Sequence, residues 1–205
     1  MSHSRRLFVA AATVCSSALL LGSATSDETT LSPDGVTEAD IGFCRDMTVH
    51  HMQALDMCQR VLGRDTGDAV QAAAAEVLQN QAMEVGQMRA WLSDWGASTV
   101  PPSKVMAWML CTNDQQGTAL ENMPGYASSQ QLLDLSTFTG VDRGRRWLEL
   151  MRAHHQGGVL MASEATALAS SNKVIRLAKS QVKTQSYEIY QYDLLLAGPY
   201  KLIDG

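Results

Sequence analysis

Two adjacent histidine pairs are the residues of this 205-residue chain whose type and spacing best suit chemistry. A methionine precedes and another follows each pair at the same distances. The pairs are His50-His51 and His154-His155, and the methionines are Met47, Met57, Met151 and Met161. Imidazole with thioether is a borderline to soft ligand set, which suits Cu(I) or Cu(II) better than zinc, magnesium or calcium. We therefore predict that these eight side chains bind copper.

The two pairs belong to an internal repeat. When the chain is aligned with itself without gaps, His50 falls on His154. Three residues of the following helix also fall on three residues of the last helix. That alignment matches Gln81, Glu84 and Met88 with Gln185, Glu188 and Tyr192. Agreement at a fixed separation predicts two copies of one structural unit, here a helical hairpin.

Helix start and stop signals divide the chain into elements. Thr37 and Asp40 form a capping box for a first helix to Gly63, and a second runs from Asp65 or Thr66 to Gly96. The box recurs at Thr139 and Asp142, opening a third helix that ends near Ser170, and a fourth runs from Ser171 to Gly198. Apolar residues at helical spacing predict an all-α antiparallel four-helix bundle, with hairpins at 37–96 and 139–198.

A polar layer is expected inside this bundle. Counting residues from each turn places His50 level with Gln81 and Glu84, and His154 level with Gln185 and Glu188. The glutamates are candidates for Cu(II) ligation or for hydrogen bonding to a ligating histidine. A lone core histidine or methionine is more often ordinary packing, but all histidines after residue 3 fall in these two pairs, which favours metal binding.

The connection between the hairpins, residues 97–138, is long and rich in methionine and tryptophan. It contains Met106, Trp108 and Met109, then Met123-Pro124-Gly125, and a short helix capped by Ser128 with Gln131. This composition predicts that the connection packs on the bundle, with Met123 a possible further ligand alongside Met88. Ordinary packing is the interpretation for Met52, Met83, Met106 and Met109.

The first 26 residues are typical of an export signal. Arg5 and Arg6 precede an apolar stretch from Leu7 to Gly22, and small residues follow to Ala24. The stretch is short for a membrane span, which favours cleavage after Ala24 over retention as an anchor. Both alternatives place the folded part outside the cytoplasm, in the periplasm or envelope or secreted.

Export makes disulfides chemically accessible to the three later cysteines. Cys44 and Cys58 lie on one predicted helix, too far apart to bond to each other. A disulfide would therefore have to include Cys111, and three buried thiols are the alternative.

Composition argues against several function classes. The net charge of -5 disfavours nucleic acid as a partner. The Glu-x-x-His motif of di-iron carboxylate proteins and the His-Glu-x-x-His motif of zinc proteases do not occur in the chain. We therefore expect a protein that is not an enzyme.

The quoted residues together resemble the domain-of-unknown-function 305 family. The resemblance rests on Asp46-Met47-Thr48-Val49-His50-His51, Gln81-x-x-Glu84-x-x-x-Met88, Met123-Pro124-Gly125 and Met151-x-x-His154-His155-Gln156-Gly157-Gly158-x-x-Met161. It implies a ferritin-like helical bundle, export, and copper binding by the histidines and flanking methionines. Tyr126 and Tyr192 stand where family members often have methionine, which implies fewer copper ions or weaker binding.

Three functions remain open from the sequence. The leading hypothesis is a non-catalytic protein that binds, buffers or delivers copper outside the cytoplasm, alone or with a copper-handling partner. The alternative is an accessory subunit of a membrane complex, held by an uncleaved N-terminal helix. A copper-dependent redox enzyme is the third. Oligomeric state does not follow from the sequence.

Overall fold

The structure is a computed structural model that describes residues 35–101, 103–109 and 116–201. These residues form helices α1 (Glu38–Val61), α2 (Asp68–Asp94), α3 (Ser129–Thr137), α4 (Gly140–Leu168) and α5 (Asn172–Ala197), with one 3-10 turn at Leu120–Asn122. Extended pairing in the described ranges is limited to an isolated bridge between Val105 and Thr118. The all-α prediction is confirmed, and the predicted export signal lies outside the described residues. None of the described helices is long and apolar enough to cross a membrane.

Helix α1 begins with the predicted capping box. The Thr37 amide donates to Asp40 Oδ2 at 2.8 Å, and the Asp40 amide donates to Thr37 Oγ1 at 3.4 Å. The same carboxylate accepts hydrogen bonds from the amides of Ser170 and Ser171, which precede α5. Asp40 therefore satisfies backbone donors at the starts of two helices, one in each hairpin.

Two predictions about helix starts need correction, the first residue of α2 and the capping box of α4. Helix α2 begins at Asp68, not at Asp65 or Thr66, because Gly67 has a φ of +85° and prolongs the turn. Gln71 closes that turn by accepting from the Gly63 amide and donating to the Val61 carbonyl. Thr139 is the N-cap of α4 but makes no side-chain capping bond, and the next residue, Gly140, has a φ of +56°.

The two hairpins meet through their first helices. Helix α1 packs on α2 and α4 packs on α5, while α1 and α4 contact each other at the centre. One core cluster combines the start of α1, at Phe43, with the end of α4, at Ala165, and the other combines Val61 with Trp147. The central helices therefore run antiparallel, and among the described helices α2 and α5 do not pack closely on each other.

The connection packs on the bundle as its composition predicts. The Met106 amide and the Trp108 indole N–H both donate to Asp46 Oδ2, at 2.6 and 2.8 Å. Burial raises the pKa of Asp46 from 3.8 to about 6, although both hydrogen bonds and Arg45 oppose the shift. The Trp108 ring meets Phe43 edge to face. Asp46 thus fastens the connection to α1.

The cysteines of α1 are free thiols in the core. Cys44 and Cys58 are fully buried, and burial raises the pKa of both, that of Cys58 to about 12. Buried thiols with raised pKa values are poor nucleophiles. Cys111 lies outside the described residues, so a disulfide to it stays a prediction.

Candidate metal centre

The four histidines of the two pairs lie side by side at the centre of the bundle. His50 and His51 come from α1, His154 and His155 from α4, and none is exposed to solvent. The rings of His50 and His154 stack with their centroids 3.6 Å apart and their planes 21° apart. We call these four side chains the histidine layer. The layer lies where the two hairpins meet.

The stacked pair is held in the neutral form. Burial is the main cause that lowers the pKa of His50 and of His154 well below the ordinary value, and neighbouring histidines lower both further. His154 Nε2–H donates to the His50 carbonyl at 2.8 Å, which leaves its Nδ1 with a lone pair. A neutral imidazole with a free lone pair is the form that binds a metal ion.

The second histidine of each pair contacts the glutamate of its own hairpin. His51 Nε2 lies 2.7 Å from Glu84 Oε2, which also accepts from Gln181 Nε2 at 2.8 Å. His155 Nε2 lies 2.7 Å from Glu188 Oε2, which is the equivalent close contact in the second hairpin. The glutamates thus contact the second histidine of each pair and not His50 or His154, which share their level along the bundle.

Several ring nitrogens of the layer have no hydrogen-bond partner among the described residues. They are the Nδ1 atoms of the four rings, whereas His50 also faces the Pro124 carbonyl and His155 Nε2 faces the Glu188 carboxylate. A buried polar atom left without a partner costs about 1–3 kcal/mol. The layer therefore combines a large desolvation cost with unused nitrogen donors, which is the condition that a bound metal would relieve.

Methionines surround the layer unequally. Six of them share one core cluster, which we call the methionine cluster: Met47, Met88, Met106, Met109, Met123 and Met161. All six are at most 2% exposed. The other core cluster contains Met57 and Met151 with Trp147 and Tyr192, and we call it the aromatic cluster. The predicted thioether ligands are thus divided between the two ends of the bundle.

The aromatic cluster approaches the layer through Tyr192. Its ring lies 5.5 Å from that of His155 and 5.6 Å from that of Trp147, centroid to centroid. The Tyr192 hydroxyl is buried without a hydrogen-bond partner among the described residues, and burial raises its pKa. The repeat aligns Tyr192 with Met88, so an aromatic ring occupies here the position of a thioether at the other end.

The connection covers the layer at Met123-Pro124-Gly125. A side chain at Gly157 would collide with the Pro124 carbonyl and come within 3.3 Å of His50 Nε2. At the equivalent position of the first hairpin, Gln53 donates to the Ala127 carbonyl at 2.8 Å and accepts from its amide at 2.6 Å. Gly157 leaves room for the connection to pass over α4, and the side-chain amide of Gln53 binds it to α1. The segment from Met123 to Ala127 therefore crosses both central helices.

Residues 40–196 match the model of a family described as "Domain of unknown function (DUF305)". The chain belongs to the DUF305 family. This confirms the resemblance drawn from the histidine pairs and their methionines. Among curated proteins, none is significantly similar in sequence to this DUF305 chain.

Solved structures of DUF305 proteins share the fold. A protein of Streptomyces coelicolor described as secreted is 35% identical, with 78% of this chain and 91% of that one aligned at a TM-score of 0.69. A DUF305 fragment of Deinococcus radiodurans is 30% identical over 79% and 97%, with a TM-score of 0.66. CopM in its Cu(I)-bound form is 23% identical over 79% and 98%, with a TM-score of 0.59, which supports the helical fold.

The site residues named from the sequence lie in three places in this DUF305 protein. The histidines form the layer, while Met47, Met88, Met123 and Met161 lie at one end and Met57 and Met151 at the other. The glutamines Gln81 and Gln185 are buried beside Glu84 and Glu188 between α2 and α5. No group of three or more His, Cys, Asp or Glu side chains in the described ranges is arranged to hold a metal ion.

Sequence reasoning missed one member of this network and misassigned two methionines. Gln181, 1% exposed, bonds Glu84 across the hairpins, but the repeat aligns it with an apolar residue, Val77. Its spacing of one helical turn before Gln185 was the available signal. Met52 and Met83 are 42% and 62% exposed, so they lie on the surface and do not pack in the core.

Proposed function

We propose that this DUF305 protein binds copper outside the cytoplasm without catalysing a reaction, and so buffers the metal or delivers it to a partner. The observation that carries the proposal is a layer of four buried imidazoles, of which His50 and His154 are held neutral, with Nδ1 atoms that have no hydrogen-bond partner among the described residues. Retaining such groups costs stability unless a ligand satisfies them. A metal ion is the ligand that neutral imidazole nitrogens recognise.

The donor set favours a soft ion. Thioethers border the layer on both sides and are most numerous in the methionine cluster, and thioether with imidazole suits Cu(I). The glutamate on His51 would fix the ring so that Nδ1 faces the metal, as carboxylates do for many ligating histidines. The histidines and methionines would hold the copper ion as cargo.

Relatives support both the metal and the compartment. CopM, which shares the fold, has been solved with Cu(I), with Cu(II) and with Ag. The Streptomyces coelicolor relative is described as secreted. Together with the export signal expected in the first 26 residues, this favours a location outside the cytoplasm for the present chain.

The test is a Cu(I) competition titration of the mature protein and of His50→Ala with His154→Ala. We expect the double variant to lose tight Cu(I) binding, because no neighbouring apolar side chain replaces an imidazole nitrogen. Helical circular dichroism should persist, since the change also removes two buried polar groups.

The matched control is Met52→Ala with Met83→Ala, which removes two exposed thioethers that belong to neither core cluster. This control should bind Cu(I) as the wild type does. Wild-type affinity in the double histidine variant would show that the histidines are structural, and the proposal would fail.

A further inference from the structure

A second site lies between α2 and α5, on the solvent side of the histidine layer. Because these helices do not pack closely, a cleft separates them. At its floor is a cavity of about 10 Å³, which is the space of one water molecule or one ion. The polar residues that line it include Gln81 and Glu84 from α2 and Gln181, Gln185 and Glu188 from α5.

Three buried glutamines that line this cavity have carbonyl oxygens without partners. Gln81, Gln181 and Gln185 are 4%, 1% and 3% exposed, and the Oε1 atom of each has no hydrogen-bond partner among the described residues. Three buried amide oxygens around one small space are an unusual concentration of unused acceptors, since most buried polar atoms are paired. An ion or molecule that accepts their lone pairs would remove this cost.

Two carboxylates complete the lining. The side chains of Glu84 and Glu188 are 23% and 13% exposed, so each reaches from its histidine toward the cleft. Both hydrogen bonds that Glu84 accepts fall on Oε2. The pair brings two negative charges to a floor whose other polar lining groups are neutral amides and a threonine hydroxyl.

We propose that this cavity binds a divalent cation that prefers oxygen ligands, of the Mn²⁺ or Ca²⁺ class. Two carboxylates balance the charge of such an ion, and amide carbonyls are among its usual ligands. The site contains no thioether, which separates it chemically from the methionine cluster. The proposal goes beyond the copper function and does not depend on it.

Two surface grooves adjoin the cavity and share lining residues with it. A groove of about 460 Å³ beside Asn80 and Met83 extends it on the Glu84 side. A groove of about 370 Å³ beside Tyr187 and Leu195 extends it on the Glu188 side. A hydrated cation can therefore enter without separation of the central helices α1 and α4.

Mn²⁺ is the probe, and its binding is measured by electron paramagnetic resonance of the free ion during titration of the metal-free mature protein. Glu84→Gln with Glu188→Gln should lose Mn²⁺ binding, because it keeps the side-chain shape and removes both charges. Glu38→Gln with Glu121→Gln changes the net charge equally at two exposed positions and should bind like the wild type.

Gly158→Ala tests the geometry without a change in charge. Its Cβ would collide with Gln185 Oε1, so the carboxamide that lines the cavity would have to change position. We expect weaker Mn²⁺ binding in this variant, with both glutamates retained.

A parallel Ag⁺ titration separates the two proposals. The double glutamine variant should keep Ag⁺ binding, weakened by roughly 10 to 100-fold through loss of histidine orientation. Absence of Mn²⁺ binding in the wild type, or wild-type Mn²⁺ binding in the double glutamine variant, would overturn the cation site whatever the Ag⁺ result. Absence of Ag⁺ binding in the wild type would instead count against the copper function.

Discussion

The methionine cluster and the aromatic cluster occupy equivalent ends of a repeated structure and yet differ in chemistry. Met88 at one end corresponds to Tyr192 at the other, and Phe43 corresponds to Trp147. The connection adds Met106, Met109 and Met123 to one end only, whereas Leu135 of α3 and Tyr200 near the described C-terminus cover the other. The duplication therefore supplied two similar frames, and the single connection made them unequal.

This difference indicates how a repeat acquires one specialised end. The histidine layer is shared, because its four rings lie at the junction of the hairpins. Soft donors are concentrated on the side where the connection returns, and Asp46 fastens that connection. At the equivalent position of the second hairpin the residue is Leu150, which cannot accept a hydrogen bond through its side chain.

The largest expected effect comes from removing thioethers at one end. Met47→Leu with Met161→Leu should weaken Ag⁺ binding by more than the roughly 10 to 100-fold typical of changes that only reorient a ligand. The equivalent pair at the other end, Met57→Leu with Met151→Leu, should have a much smaller effect. Leucine nearly conserves the volume of methionine, so both variants should fold. Isothermal titration of Ag⁺ measures the difference, and equal losses would show that the two ends are equivalent.

An intermediate effect is expected from the Asp46 anchor. Its pKa rises from 3.8 to about 6 on folding, so the protonated form is favoured in the folded state. The contribution to stability is present below pH 4 and is lost as pH rises through 6, by at most about 3 kcal/mol at roughly 1.4 kcal/mol per pKa unit. Asp46→Asn should remove this part of the pH dependence, measured by urea unfolding from pH 4 to 7.

The control for this prediction is Asp193→Asn, which changes a half-exposed carboxylate of α5 near the aromatic cluster. The buried histidines act in the opposite direction, because their lowered pKa values make the folded state less stable as pH falls. The wild-type minus variant difference therefore isolates Asp46. A difference that does not change between pH 4 and 6 would contradict the assignment.

The smallest expected effect is a gain at the aromatic cluster. Tyr192→Met places a thioether where the first hairpin has Met88. At saturation the variant should bind one more Ag⁺ ion, with lower affinity than the ions that the wild type binds. Tyr192→Phe is the control, because it removes the unpartnered hydroxyl without adding a donor and should change the free energy of unfolding by no more than about 1 kcal/mol. Equal Ag⁺ stoichiometry in the two variants would show that position 192 does not limit binding.

Local signals predicted the helices because those signals act within a few residues. The boxes at Thr37 and at Ser128 form as expected, since each joins a side chain to a backbone amide three residues away. The second helix start depended on the φ of Gly67, which no residue pattern specifies. The repeat predicted which positions are equivalent, but it left open whether the two histidine pairs share one layer or form two.

The pairing within the layer could not be predicted by counting residues. Counting residues gives the height of a side chain along the bundle but not the rotation of its helix about the helix axis. Adjacent residues differ by about 100° around that axis. Helix α1 is covered by α2, α3 and α4, so both His50 and His51 are buried, and the second one reaches Glu84. Gln181 was not predicted for a related reason. Its partner Glu84 lies in the other hairpin, and the repeat does not align Gln181 with Glu84.

The burial of the methionine cluster also protects its sulfur atoms from oxidation. Oxidants convert exposed methionine to its sulfoxide, which is polar and a poor core residue. Met52 and Met83, 42% and 62% exposed, would react first, while the six thioethers of the cluster are shielded by the connection that Asp46 holds in place. The fastening of that connection therefore determines how long the soft donors survive in an oxidising environment.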